Sequence, residues 1–308
     1  MNTYLVLDLG GTAIKYALMD DTYHILEQGK TPSPLTDLDT LLATLENVGK
    51  LFAGRYQSVA ISMPGRIDTK NGIAHTGGSF TFLHDCPFAA EAEKRLGAPV
   101  TIANDGKCAA NAELIGGALD HVDNGAVVVL GTGTGGGVVL GGKVWLGNTF
   151  AAGEFSALPT NFENIHKGIY GFADPNSASM WAMQASASGL IGNYMRLKGL
   201  PMDQPVDGIG VFKAYDAGDP AAHEAVKKLG RDVAAGIYSI QAVLDLQRFA
   251  IGGGISARNE VTDAIREALY TIFDSIPFTP FSRPEVVTCK YRNDANLIGA
   301  LRFHLSRD

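Results

Sequence analysis

Apolar and polar positions in the first half of the chain fall into short runs punctuated by glycine. The apolar β-prone run at 4–8 turns at Gly10-Gly11-Thr12 and resumes with alternation over 14–19, which predicts two strands joined by a tight turn. HILEQGK (24–30) reads as a third strand. Helical spacing over 38–52, after Asp37 as a possible N-cap, predicts a helix. SVAISMPG (58–65) reads as a strand entering a Pro-Gly turn, followed by a helix near 87–96 and a strand over 100–103. GAVVVLGTGTGGGVVLGGKVWLG (125–147) reads as strand, Gly/Thr turn, strand, then a hairpin at Gly141-Gly142. Long helical patterns follow at 177–197, 208–216 and 219–246. RFAIGGGIS (248–256) is a strand entering a triple-glycine turn and a helix that runs to about Phe273. A strand near 285–288 and a helix from NDANLIGALRFHL (293–305) close the pattern.

Two stretches look like editions of one unit. LVLDLGGTAIKYAL (5–18) and VVVLGTGTGGGVVL (127–140) match position by position as strand, small-residue turn, strand. A length of 308 residues gives room for two domains built around them. With 46% hydrophobic and 19% charged residues the composition is globular. The formal net charge of −7 leaves no basic footprint, which argues against a nucleic-acid partner. Cys86, Cys108 and Cys289 are far apart and make no C-x-x-C pair, so neither a zinc knuckle nor a disulfide framework is indicated, and a reducing compartment fits. The start of the chain has no basic region and too little apolar length for a signal peptide. The apolar stretch 126–140 is broken by five glycines and two threonines between Gly131 and Gly137, so no membrane span is expected. These readings point to a cytoplasmic protein with no membrane partner.

The candidate chemistry lies at the ends of strands. Asn104-Asp105-Gly106 follows the strand at 100–103 and opens an Ala-rich helical run. Asp105 either caps that helix or faces a cleft and takes protons. Gly10-Gly11-Thr12 and Gly131-Thr132-Gly133-Thr134-Gly135 suit a backbone that wraps phosphates, because no Cβ obstructs the N–H groups and threonine adds a hydroxyl. A plain hairpin is the other reading of each turn. The Walker spacing is absent, and both turns lead into strands rather than helices, which argues against a dinucleotide fold. Gly252-Gly253-Gly254 can pass close under a flat adenine or ribose. Asp8 either holds magnesium through water or accepts N–H bonds from its turn. Lys15 either approaches a phosphate or sits on the surface.

DLGGTAIK (8–15), NDGKCAANAE (104–113), LGTGTGGG (130–137), GEFS (153–156), IGGGIS (251–256) and NDANLIGAL (293–301) occur here in the order seen in the ROK family of sugar kinases, which the whole chain resembles. The resemblance implies an α/β, actin-like ATPase (ribonuclease H-like) fold: two α/β domains with an interdomain cleft. Residues 1–118 plus 291–308 would form the smaller N-terminal domain and 119–290 the larger C-terminal one. It also implies a homodimer, ATP and magnesium as cofactors, and transfer of the γ-phosphoryl group to a sugar hydroxyl, usually the 6-hydroxyl of a hexose. Carried residue by residue, it makes Asp105 the general base and Asn104 a sugar contact. Gly65 and Arg66 (in SMPGRID), Gly78 (in HTGGSF) and Glu154 (in GEFS) join the sugar site. ATP falls to Asp8, Gly10, Gly11, Thr12 and Lys15; to Gly131, Thr132, Gly133, Thr134 and Gly135; and to Gly252, Gly253 and Gly254.

The chain departs from the family pattern after Glu154. Many members read G-E-x-G-H and then carry a cysteine-rich zinc loop, whereas Ala157 stands at the histidine position here and no cysteine lies between Cys108 and Cys289. No structural zinc is expected. His166 reads as a surface residue, and Gln184 in QASASGL takes the place of a second sugar-binding glutamate. Within the family the chain looks most like bacterial β-glucoside kinases of the zinc-free kind, which share the YDAGDP seen at 215–220. Its best-matched substrate is then a β-glucoside such as cellobiose. N-acetylmannosamine kinase and glucokinase or fructokinase are the alternatives within the family, and a non-catalytic sugar sensor is the alternative outside catalysis.

Overall fold

The computed structural model describes residues 2–160, 162, 180–201 and 203–306. Two compact units emerge: residues 1–117, 143–153 and 293–308 in the first, residues 118–142 and 154–292 in the second.

The first unit is built on a sheet whose strand order is β3-β2-β1-β4-β8. Strands β1 (Thr3–Leu9), β2 (Ala13–Asp20) and β3 (Ile25–Pro32) form an antiparallel meander, and β4 (Ser58–Met63) and β8 (Val100–Asn104) continue the sheet in parallel. Strands β1 and β4 are buried along nearly their whole length, as expected of strands covered on both faces. One covering layer contains α1 (Leu38–Leu51), whose cap Asp37 accepts from Thr40 N as the sequence suggested, and α2 (Phe88–Leu96). The other contains α3 (Asp105–Glu113) and α9 (Ala295–Leu305). Near its end α9 is fastened to the sheet by His304, whose ring nitrogens lie 2.7 Å from Ser58 Oγ and 2.7 Å from Thr101 Oγ1. A small antiparallel sheet of β5 (Ile67–Asp68), β6 (Ile73–Thr76) and β7 (His84–Cys86) follows β4. The sequence did not reveal it, because strands of two to four residues are too short to show alternation.

The second unit repeats the plan. Strands β9 (Gly125–Leu130) and β10 (Thr134–Leu140) pair antiparallel, while β12 (Arg248–Gly252) and β13 (Glu285–Thr288) extend the sheet from β9 in parallel. The order β10-β9-β12-β13 matches β2-β1-β4-β8. Strand β11 (Lys143–Trp145), after the turn at Gly141-Gly142, falls within the first unit. The helices of this unit are α4 (Trp181–Gln184), α5 (Ala187–Lys198), α6 (Gly208–Asp216), α7 (Pro220–Leu244) and α8 (Asn259–Ser275). The buried face of α7, from Ala222 to Ile240, forms the backbone of the core.

Two helical expectations need correction. The pattern at 177–197 is not one helix: within the described residues α4 ends at Gln184 and α5 begins at Ala187. The buried Ser186 caps α5 by accepting from Gly189 N, and Ala185 O is taken by the Thr134 hydroxyl instead of a following turn. Nor does the triple-glycine turn lead directly into a helix. A single 3-10 turn (Gly254–Ala257) intervenes before α8.

Candidate active site

The Asn104–Asp105 junction is built by a strand that ends in a helix cap. Asn104, the last residue of β8, is the N-cap of α3, its side-chain oxygen accepting from Lys107 N at 3.1 Å. Asp105 is therefore the first helical residue rather than the cap. Its Oδ1 accepts from Gly106 N at 2.8 Å and from Asn104 Nδ2 at 3.1 Å. The second hydrogen of the Asn104 amide goes to Gly65 O at 2.9 Å. Asn104 thus ties the carboxylate of Asp105 to the loop that carries Gly65 and Arg66. Lys107, which the sequence did not single out, is buried beneath this junction with Nζ 3.5 Å from Asn104 Oδ1.

Gly65 can occupy its place only without a side chain. Its φ is +103°, and a Cβ there would lie 2.1 Å from Thr76 O. Arg66 N donates to Thr76 Oγ1 at 2.9 Å and Arg66 O accepts from His75 N at 2.9 Å, so this loop is seated on the small sheet. His75 Nδ1 in turn meets Asp85 Oδ1 at 2.6 Å, and that contact holds the Asp85 carboxyl below the ordinary range. Gly78 packs against Pro64, at the start of the same loop.

Asp8 is the next-to-last residue of β1, just ahead of the first glycine turn, and is almost wholly buried. Burial raises its carboxyl above the ordinary range, opposed by Lys15 and by hydrogen bonds from Asn296 and Ser62. Lys15 is its cross-strand partner, with Nζ 3.7 Å from Asp8 Oδ2. Asn296 and Ser62, absent from the sequence-derived set, each donate to Asp8 Oδ1 at 3.0 Å. The neighbouring Cys108 thiol is pushed up by burial first and by the Asp8 charge second. In the turn itself Gly10 N donates to Ala13 O at 3.1 Å, and Ser33 N donates to Thr12 O at 3.1 Å.

In the second unit the corresponding turn closes through Gly131 N, which donates to Gly133 O at 2.9 Å, while Gly131 O accepts from Ala187 N at 2.9 Å. Thr134 lies at the start of β10, fully buried, and its carbonyl accepts from Ser156 Oγ at 2.7 Å. Gly253 brings the triple-glycine turn against the end of β9, where a Cβ would lie 2.3 Å from Leu130 O. The second and third glycine turns are therefore neighbours. Glu154 is exposed at the start of a 3-10 turn (Phe155–Ala157), and Ala157 is exposed within that turn. Gln184 ends α4 in a pocket lined also by Trp181, Asp232 and Gly236.

Among the described residues no three His, Cys, Asp or Glu side chains form a metal-binding group. His166 lies outside the described residues. No helix among the described residues is long and apolar enough to cross a membrane.

The chain belongs to the ROK family, whose profile matches residues 4–307. It has the actin-like ATPase fold and is a sugar kinase. It is 30% identical over 303 residues to a β-glucoside kinase of Klebsiella pneumoniae, covering 97% of this chain and 95% of that protein. A ROK family protein from Streptococcus pneumoniae in complex with sucrose superposes with a TM-score of 0.82 at 27% identity, over 97% of this chain and 96% of that one. A ROK family glucokinase from Streptomyces griseus in complex with glucose and AMPPNP gives a TM-score of 0.81 at 25% identity, over 97% of this chain and 98% of that one.

Proposed function

We propose that this sugar kinase phosphorylates the 6-hydroxyl of the glucosyl unit of a β-glucoside such as cellobiose, with ATP as donor. The observation that carries the catalytic half of this reading is the Asp105 carboxylate at the first position of α3, oriented by Asn104 and the Gly106 N–H. As the sugar oxygen bonds to the γ-phosphorus and the bond to the β–γ bridging oxygen breaks, Asp105 takes the hydroxyl proton, leaving ADP and the sugar phosphate. Asn104 positions Asp105. It offers an amide hydrogen to a sugar hydroxyl only by releasing Gly65 or Asp105, since both hydrogens are engaged. Gly65, Arg66, Gly78, Glu154 and Gln184 complete the sugar contacts in this reading.

Phosphate oxygens fall to the turns at 10–12 and 131–135, and the nucleoside to the turn at 252–254. Because Gly10 N–H and Gly131 N–H close their own turns, and Thr134 is buried with its hydroxyl on Ala185 O, the donors in this reading are Gly11 and Thr12 in the first turn and Thr132 and Gly133 in the second. One buried carboxylate, Asp8, without a cluster of three ligands among the described residues, suits a magnesium ion that keeps its waters and is bound mainly through the nucleotide. Magnesium, when bound with ATP, spreads the charge of the transferring phosphoryl group.

The choice of a β-glucoside is supported by the full-length likeness to the Klebsiella protein and by Ala157. A methyl group there, in place of an imidazole, leaves room beyond the glucosyl ring for an aglycone. The test is ADP release measured with cellobiose, glucose and N-acetylmannosamine. Cellobiose is expected to turn over with the highest kcat/KM. Preference for either other sugar would replace the substrate, and sugar binding without ADP release would make the chain a sensor.

A further inference from the structure

Asp8 is held from outside its own hairpin. Its Oδ1 accepts two neutral donors, Ser62 Oγ from β4 and Asn296 Nδ2 from the first turn of α9. Its Oδ2 faces the Lys15 ammonium, which itself donates to Asn293 O at 3.2 Å. Residues 293–296 therefore grip both members of the Asp8–Lys15 pair, one with an amide hydrogen and the other with a carbonyl. With two hydrogen bonds on Oδ1 the carboxylate cannot rotate freely, and the oxygen left to meet cations is Oδ2.

The helix that delivers Asn296 is itself locked. Gly299, three residues on, crosses α3 so closely that a Cβ would lie 1.8 Å from Cys108 O. Asn111 Nδ2 donates to Gly299 O at 3.0 Å, and Arg302 Nη1 donates to Asn111 Oδ1 at 2.8 Å. With His304 anchoring the far end, α9 cannot slide without breaking buried contacts. The amide of Asn296 thus arrives at a fixed distance from β1. The same crossing packs α9 closely on α3, which begins at Asp105.

We propose that Asn296 is a positioning residue of the nucleotide site: with Ser62 it fixes the Asp8 carboxylate so that Oδ2 and Lys15 are presented together to magnesium-bound phosphates. This rests on the reading of Asp8 as part of the phosphate site. The experiment is calorimetric titration of AMP-PNP with magnesium and with EDTA into the wild-type chain, Asn296→Ala, Ser62→Ala and Asp8→Asn. The melting temperature of each unliganded chain is recorded alongside. Asn296→Ala is expected to reduce the affinity gained from magnesium roughly tenfold to a hundredfold, as loss of a hydrogen bond to a charged group implies. Its affinity in EDTA should stay near that of the wild type. Equal weakening in both buffers, or an undiminished magnesium gain, overturns the positioning role and leaves Asn296 a purely structural contact. If Asp8→Asn also keeps the full gain, the phosphate-site reading of Asp8 fails instead. Should Asn296→Ala not fold, Asn296→Gln, which misplaces the donor on a longer arm, is read by the same two criteria.

Discussion

Asp105 and Asn104 divide two tasks that the sequence left unassigned. A carboxylate after a strand can cap a helix or face a ligand. In the fold Asn104 takes the cap, and Asp105 enters the helix with its orientation set by two donors. Replacing the carboxylate therefore removes a proton acceptor and leaves the cap intact. Asp105→Asn is expected to keep a near-normal melting temperature and sugar affinity while turnover falls about 10²–10⁴-fold, the usual weight of a general base. Steady-state kinetics beside sugar titration checks this, and near-normal turnover would remove Asp105 from the chemistry. Residue type was readable here because the motif is local. The partners of Asp8 were not, since Ser62 and Asn296 lie 54 and 288 positions away and only the sheet and α9 bring them together.

At the scale of elements, the repeated strand–turn–strand units were legible because apolar alternation and glycine act over a few neighbouring residues. The break between α4 and α5 was not. It depends on Thr134, from another hairpin, taking the carbonyl of Ala185. A comparable long-range tie joins α6 to α8. The Arg258 guanidinium bonds both Asp216 oxygens and both Glu260 oxygens while lying over the Phe212 ring. Arg258 holds both carboxyls below their ordinary ranges, so each contributes stability at neutral pH. That contribution is present above the unfolded-state values and is lost as pH falls through the lower folded-state values. Arg258→Ala should lower the melting temperature at pH 7 and make little difference once both carboxyls are protonated. Melting curves from pH 7 down through the carboxylate range test this. An equal loss at every pH would assign the effect to the lost packing on Phe212 instead.

For the whole molecule, the matching strand orders of the two units show that the likeness of residues 5–18 and 127–140 extends to the architecture around each hairpin. Their helical layers differ, because the second unit carries α4 to α7 between its hairpin and its first parallel strand. A homodimer remains our proposal from the family likeness. Sedimentation equilibrium across micromolar concentrations should give twice the 32.5 kDa chain mass, and a single chain mass throughout would refute it.

By itself the sequence determined the strands of the two larger sheets and the glycine turns, the family pattern and the identity of the acidic residues, because each is written in a short stretch of chain. Tertiary structure alone decided which donor orients which carboxylate, where a helical pattern breaks, and that the last helix reaches back to the first strand. Those outcomes depend on hydrogen-bond geometry and close packing between segments far apart in the chain, which no local pattern encodes.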